Sequence, residues 1–174
     1  MRGRQDCCAE SPASREQSSR APERAGTKTY TKGEDMQVTT HLAFSGNCKI
    51  AFETYAKLLG GKITFMMTQG ESPMADQVPP AMKDKIMHAA LEVPGGGVIQ
   101  GADHPEGKEA KPHGFSVCVT VKDAAEAERI FKGLSEGGKV QMEFQKTFWS
   151  PGFGMCIDKF EVPWMVNTAH EMAA

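Results

Sequence analysis

Long apolar runs and surplus charge of one sign are both scarce in this 174-residue chain. No apolar run approaches the roughly 20 residues that a membrane-spanning helix needs, so we expect no membrane partner. The formal net charge is -2 and the pI is about 6.2, which argues against a general nucleic-acid-binding protein. The five cysteines are an odd number, and without a signal peptide they favour reduced thiols and a cytoplasmic location.

Residues 1–35 have almost no aliphatic side chains and are rich in Arg, Ser, Glu and Pro. Such a segment buries too little apolar surface to order itself, so we expect a disordered leader before a folded domain at residues 36–170. It lacks the apolar stretch of a secretory signal, and its acidic residues fit a transit peptide poorly. Cys7 and Cys8 are a weak candidate for a redox or metal pair, and Met36 is an alternative start.

From residue 36 onward the chain contains two copies of one pattern. In each copy an apolar strand leads to a good helix N-cap, Asn47 or Asp123, and an amphipathic helix follows. Each helical pattern ends at a glycine pair, and three predicted strands complete the copy. The sequence therefore predicts an α+β fold of paired βαβββ modules, at about residues 37–104 and 112–170. We expect them to form a cupped mixed sheet with the helices on its outer face.

The glycine run at residues 95–97 lies between two predicted strands, so a hairpin turn is favoured over a phosphate-binding loop. A turn over residues 94–97 sets His88 directly opposite Asp103 on the face that lines the cup. A carboxylate there favours the protonated imidazole and fixes its tautomer. The same arrangement is common as a structural cross-strand pair, and both interpretations remain open.

Alternation along the remaining strands assigns further polar side chains to the cup or to the helix side. Ser116 and Asn167 are expected to face the cup, where they would orient a ligand. His41 is one residue out of phase with the cup-facing Thr40, so we expect it to point toward the helices. Cys118 faces the cup by the same alternation, although a free cysteine is more often a small buried hydrophobe.

Aromatic residues concentrate in residues 139–167, which contain both tryptophans. Trp164 lies in the last predicted strand and is expected in the core. Trp149 and Phe153 flank a turn and would cover a ligand in the cup. Phe148 and Trp149 are equally suited to closing a dimer interface, and the sequence leaves these two roles open.

Several local motifs resemble one known family: FSGNC, IMHAALEV, the Asp of QGADHP, QKTFWSPGFG and DKFEVPWMVN. The chain resembles the PhnB-like (YjdN-like) family of the vicinal oxygen chelate superfamily, which includes glyoxalase I, extradiol dioxygenases and bleomycin-resistance proteins. The resemblance covers residues 36 to about 170 and implies a cupped pseudo-twofold fold and a homodimer. Some members carry a methyltransferase label, but no glycine-rich strand-to-helix turn suited to a methyl-donor nucleotide is present in this sequence.

The resemblance also implies where a metal would lie. The superfamily's metal enzymes place His on the first strand, Glu on the fourth, His or Gln on the fifth and Glu on the last. The matching positions here are expected to hold Thr40, Gly101 or Asp103, Ser116 and Asn167. Neutral hydroxyl and amide groups are poor substitutes for imidazole and carboxylate ligands, so we expect neither a catalytic metal nor another cofactor.

Three functions remain open, and no complete catalytic constellation decides whether the protein is an enzyme. The first is a homodimeric PhnB-like protein that binds a small molecule in its cup without a catalytic metal. The second is a metal-dependent lyase or dioxygenase, and the third is a dimeric interaction domain without a ligand. The expected ligand-binding residues are His88, Asp103, Ser116, Trp149, Phe153 and Asn167.

Overall fold

The computed structural model describes residues 38–104 and 112–169. The predicted leader and the Cys7–Cys8 pair lie outside these residues. The first module contains β1 (Thr40–Phe44), α1 (Cys48–Leu59), β2 (Lys62–Thr68), β3 (Ile86–Glu92) and β4 (Val98–Asp103). The second module contains β5 (Val117–Val121), α2 (Ala124–Ser135), β6 (Lys139–Gln145), β7 (Phe153–Ile157) and β8 (Pro163–Thr168).

Each module forms its own four-stranded mixed sheet, with strand orders β1-β4-β3-β2 and β5-β8-β7-β6. The first and last strands of each module pair in parallel, and the other pairs are antiparallel. Helix α1 packs against the first sheet and α2 against the second. The predicted α+β class and the paired βαβββ modules are therefore confirmed. Neither helix of the described ranges is long and apolar enough to cross a membrane.

Helix α1 is capped by a residue that is distant in sequence. Asn47 occupies the N-cap position but makes no side-chain capping hydrogen bond. Instead, Asp103 at the end of β4 accepts a hydrogen bond from the Cys48 backbone N–H at 2.9 Å and one from the Ile86 N–H at 2.8 Å. A buried carboxylate at this position satisfies otherwise unpaired N–H groups and complements the positive end of the helix.

Helix α2 uses the local cap that the sequence predicts. The Asp123 carboxylate accepts a hydrogen bond from the Glu126 N–H at 2.9 Å, which is the common N-cap arrangement. The C-terminus of α1 is followed by Gly60, whose φ of 65° is left-handed, as the glycine pair after this helix predicts. The two modules therefore share a helix position but hold its first turn differently.

A second buried carboxylate joins the two modules. Asp158, in the β7–β8 turn, accepts hydrogen bonds from the Tyr55 hydroxyl of α1 at 2.6 Å and from the Trp164 indole N–H at 2.8 Å. Its other oxygen accepts the backbone N–H groups of Phe160 and Val162. Burial, reinforced by the Asp158 charge, raises the pKa of Tyr55. Trp164 is fully buried, so its predicted place in the core is confirmed.

The β3–β4 hairpin differs from its predicted register by one residue. Glu92 pairs with Val98, and the Val93 N–H donates to the Gly97 carbonyl at 2.9 Å, so the loop begins at residue 93 rather than 94. This shift places every β4 side chain on the face opposite to the predicted one. The expected pairing of His88 with Asp103 is therefore wrong, because Asp103 points to the helix side and caps α1.

Candidate functional site

We call the side of each sheet that faces away from its helix the open face. On the first sheet, the open face carries alternate residues of every strand: His41, Phe65, His88, Ala90, Gln100 and Ala102. On the second sheet it carries Cys118, Thr120, Met142, Phe153, Met155, Met165 and Asn167. The side chains at these positions are exposed or half-buried, whereas the side chains on the helix-facing side form the core. A ligand therefore has access to each sheet from its open face.

The open face of the first sheet is built around two histidines. The ring of His41 stacks on that of His88, with centroids 6.2 Å apart and planes inclined by 23°. Phe65 lies beside His88, with ring centroids 5.8 Å apart. The expectation that His41 points toward the helices is wrong, because the large apolar residues Leu42 and Phe44 occupy that side of β1.

The environment of His41 favours its neutral form. Partial burial lowers the pKa of His41, and the nearby imidazoles of His88 and His104 lower it further. A positive charge on a neighbouring imidazole disfavours the protonation of His41. No carboxylate is among the causes of the shift, so nothing among them offsets this lowering of the pKa. The lowered pKa favours the neutral imidazole of His41, which has both a donor and an acceptor nitrogen.

The open face of the second sheet is aromatic and amide-bearing at one end. Asn167 on β8 lies between Thr120 on β5 and Phe153 on β7, its direct partners in the ladder. Trp149 contacts Phe153 edge-on at 5.7 Å between centroids, and Phe148 contacts Trp149 at 4.4 Å. We call Phe153, Trp149 and Phe148 the aromatic ladder. Trp149 is 46% exposed and Phe148 is 96% exposed, so these rings extend from the sheet into solvent.

Asn167 has an unsatisfied acceptor. Its Oδ1 atom is buried and accepts no hydrogen bond from any of the described residues. Leaving a buried acceptor unpaired costs about 1–3 kcal/mol, so such groups usually have a partner. A ligand that donates an N–H or O–H to this oxygen would remove the penalty.

The structure brings together three of the six expected ligand residues: Trp149, Phe153 and Asn167. Ser116 immediately precedes β5 and lines two cavities, one of about 410 Å³ and one of about 530 Å³. His88 lies on the other sheet, beside His41. Asp103 lies on the helix side and is not available to a ligand.

Two features were missed by sequence reasoning on the open faces. One is the placement of His41, which the burial of Leu42 and Phe44 on the opposite side of β1 would have indicated. The other is the exposure of Cys118, for which the general tendency of free cysteine favours burial. Its alternation in β5 did indicate the open face, and that signal proves more informative than the general tendency of cysteine to be buried.

The donor set does not fit the divalent metal that the superfamily implies. The open-face positions nearest the middle of β1, β4, β5 and β8 hold His41, Gln100, Cys118 and Met165. These are a single imidazole, an amide, a thiol and a thioether, without the carboxylates that such sites use. Within residues 38–104 and 112–169, no three His, Cys, Asp or Glu side chains are grouped to hold a metal ion.

Comparisons with known proteins identify relatives. A family model described as 3-demethylubiquinone-9 3-methyltransferase matches residues 36–167. Protein YjdN of Escherichia coli K12 is 33% identical over 144 residues, covering 78% of this chain and 97% of that protein. The crystal structure of protein PA1353 from Pseudomonas aeruginosa is 41% identical, covers 77% of this chain and 98% of its own, and has a TM-score of 0.70.

A more distant structure shows the fold alone. The glyoxylase/bleomycin resistance protein/dioxygenase domain from Frankia sp. EAN1pec is 14% identical, covers 80% of this chain and 96% of its own, and has a TM-score of 0.57.

The methyl donor that the family description implies has no matching cradle in the described residues. A nucleotide-type cofactor is commonly held at a helix N-terminus after a glycine-rich turn. Here the α1 N-terminus is occupied by the Asp103 carboxylate and that of α2 by Asp123. We therefore derive no methyl-transfer step from this geometry.

Proposed function

The chain belongs to the PhnB-like (YjdN-like) family of the vicinal oxygen chelate superfamily, and on that premise we propose that it binds a small molecule on the open face of its second sheet without a catalytic divalent metal. The unpartnered Oδ1 of Asn167 is the observation that carries this proposal. It lies beside the aromatic ladder of Phe153 and Trp149, where an apolar body and a polar anchor meet.

The surroundings of Asn167 define the chemistry of the ligand. Phe153 and Trp149 offer ring faces and edges that suit a planar apolar group. Asn167 requires a hydrogen-bond donor, and the Thr120 hydroxyl beside it either donates or accepts. We propose a small planar molecule with at least one N–H or O–H group, for which Ser116 provides a further polar contact along β5. His88 would contact only a ligand that extends to the first sheet.

The test compares two amides on equivalent sheets. A thermal-shift screen of planar N–H and O–H compounds identifies ligands that raise the melting temperature of the wild-type protein. The affinity of a hit should fall by at least about tenfold in Asn167→Leu, because the variant has no acceptor for the ligand's donor. Gln100→Leu on the first sheet is the matched control and should bind the hit normally. Equal affinities in Asn167→Leu and wild type would contradict the proposal.

The two other candidate functions predict different results. A metal-dependent lyase or dioxygenase is favoured only by the imidazole of His41 on the open face of β1. It predicts a stoichiometric divalent metal in native mass spectra that His41→Ala removes. An interaction domain without a ligand predicts no hit from the screen.

We also propose a cytoplasmic homodimer in which Phe148 contacts the partner subunit. Phe148 is 96% exposed, and such an aromatic side chain is typical of an interface anchor. Phe148→Ser should shift the mass measured by light scattering from dimer to monomer. Val38→Ser, at a residue that is 88% exposed in the first module, is the control and should leave the mass unchanged. A wild-type protein that is monomeric at micromolar concentration would contradict this part of the proposal.

A further inference from the structure

Four sulfur-bearing side chains form one row across the open face of the second sheet. Cys118 on β5 pairs with Met165 on β8. Met165 pairs in turn with Met155 on β7, and Met155 pairs with Met142 on β6. Residues directly opposite one another project from the same face, with Cβ atoms about 4.5–5.5 Å apart. We call these four residues the sulfur row.

The sulfur row is accessible rather than part of the core. Cys118 is exposed, the three methionines are half-buried, and Met155 and Met165 line the cavity of about 530 Å³. The other described cysteines are different, because burial raises the pKa of Cys48 to about 12 and that of Cys156 to about 11. Among the described residues, the available thiol is therefore the one that lies in the row.

Sulfur donors select a particular class of ion. Thiolate and thioether groups are soft ligands that favour copper(I), whereas carboxylate and carbonyl oxygens favour magnesium, calcium and manganese. Methionine has three rotatable side-chain bonds, so neighbouring thioethers can converge on one point. Cys118, Met165 and Met155 lie on adjacent strands, so their backbones span only about 10 Å.

We propose that the sulfur row is a copper(I) site, with the Cys118 thiolate and the thioethers of Met165 and Met155 as ligands and Met142 as a flanking donor. The Cys118 thiol releases its proton to solvent when the Cu–S bond forms, so the thiolate charge balances the single charge of the ion. The metal remains copper(I) throughout, and no oxidant or reductant takes part.

The site is specific to the second module and uses other side chains than the proposed ligand site. The corresponding row of the first sheet contains His41, Gln100, Ala90 and Phe65, which include no sulfur. Asn167 and Phe153 lie two residues along their strands from Met165 and Met155, about 7 Å away. The copper ligands do not include Asn167, and the copper titration contains no organic ligand, so either proposal can fail without the other.

The experiment is an anaerobic copper(I) titration of the full chain against a chromogenic copper(I) chelator. Cys7→Ser and Cys8→Ser are introduced first, so that these thiols do not compete. We expect one bound ion per chain and the release of about one proton per ion at neutral pH. The double variant Met155→Leu/Met165→Leu should lower the affinity by at least about tenfold, since leucine keeps the volume and removes the donors.

Further variants separate donor loss from misfolding. Met74→Leu, at a methionine that is 60% exposed and lies outside the row, should keep full affinity. Cys118→Ser should abolish the proton release, and X-ray absorption of the copper-loaded wild type should show three sulfur neighbours. Unchanged copper affinity in the double methionine variant would overturn the proposal. So would the complete loss of copper binding in the Cys7→Ser/Cys8→Ser background.

Discussion

The two modules have the same connectivity but present different chemistry on their open faces. The first sheet displays the imidazoles of His41 and His88, and the second displays sulfur, an amide and aromatic rings. Their helix-facing sides are alike, because both must bury apolar side chains against a helix. The need to bury apolar side chains against a helix constrains the residue types on the helix-facing side of each sheet. The open face has no such constraint, so its residue types differ between the two modules.

The modules also differ in how they use buried polar groups at matching strand ends. Asp103 is the last residue of β4, opposite Phe44, and accepts two backbone hydrogen bonds. Thr168, at the equivalent place opposite Val121, has a buried hydroxyl with no hydrogen-bond partner among the described residues. The second module instead buries Asp158 in its β7–β8 turn. Substitutions at these positions test whether each carboxylate is essential to its own module or to the whole domain.

The largest expected effect is that of Asp158→Ala, which removes the acceptor of four hydrogen bonds, including one from the first module. We expect the free energy of unfolding to fall by about 4 kcal/mol or more, since hydrogen bonds to charged groups contribute about 1.5–3 kcal/mol each. Urea denaturation measures the change, with the exposed Asp76→Ala as control. A loss below about 1 kcal/mol would show that Asp158 does not couple the modules.

Asp103→Ala should have a smaller but substantial effect, because it leaves two N–H groups without acceptors. We expect a loss of about 3 kcal/mol, against about 1 kcal/mol for the local N-cap variant Asp123→Ala. Both values come from the same denaturation assay. Equal losses would mean that the distant cap of α1 contributes no more than the local cap of α2.

Acidification should affect the first module through His41. Its folded-state pKa is lowered, so the unfolded chain binds the proton more readily, and stability falls as the pH drops below the ordinary value of 6.5. Above that pH the contribution is complete. The His41→Gln variant should lose less stability than wild type between about pH 7.5 and pH 5. A loss of stability in His41→Gln as large as that of wild type over this pH range would contradict the assignment.

Thr168→Val is expected to have the smallest effect. The hydroxyl is buried, and none of the residues in the described ranges bonds to it. Replacing it with a methyl group of the same shape should therefore raise stability by about 0 to 1 kcal/mol. The backbone hydrogen bonds of this residue, to Gly152 and from Ser150, do not depend on the side chain. A marked loss of stability would reveal a partner for the hydroxyl in the folded protein.

Local patterns in the sequence predict the fold well. The Asp123 cap of α2, the amphipathic stripes and the glycine pair after α1 all depend on residues within a few positions of one another, whereas the cap of α1 comes from the distant Asp103. Residue-to-residue pairing across strands is harder, because it depends on turn geometry. One extra residue in the β3–β4 loop was enough to move Asp103 from the open face to the helix side.

The candidate site shows the same division between local and non-local information. Alternation within β8 correctly indicates the open face for Asn167. The sulfur row involves four strands whose registers include two irregularities between β6 and β7, so no single strand reveals it. The placement of the His41 ring depended on which neighbours filled the core, and strand alternation alone does not settle that choice of phase.

The bond between the Tyr55 hydroxyl and Asp158 has an evolutionary consequence. A fragment that encoded either module alone would bury the Tyr55 hydroxyl or the Asp158 carboxylate without this partner. It would also lose the ring contacts of Tyr55 to Phe160 and Trp164. Each module therefore satisfies a buried polar group of the other. Gene fission or the exchange of one half with a homologue would succeed only if both sides of this junction travelled together.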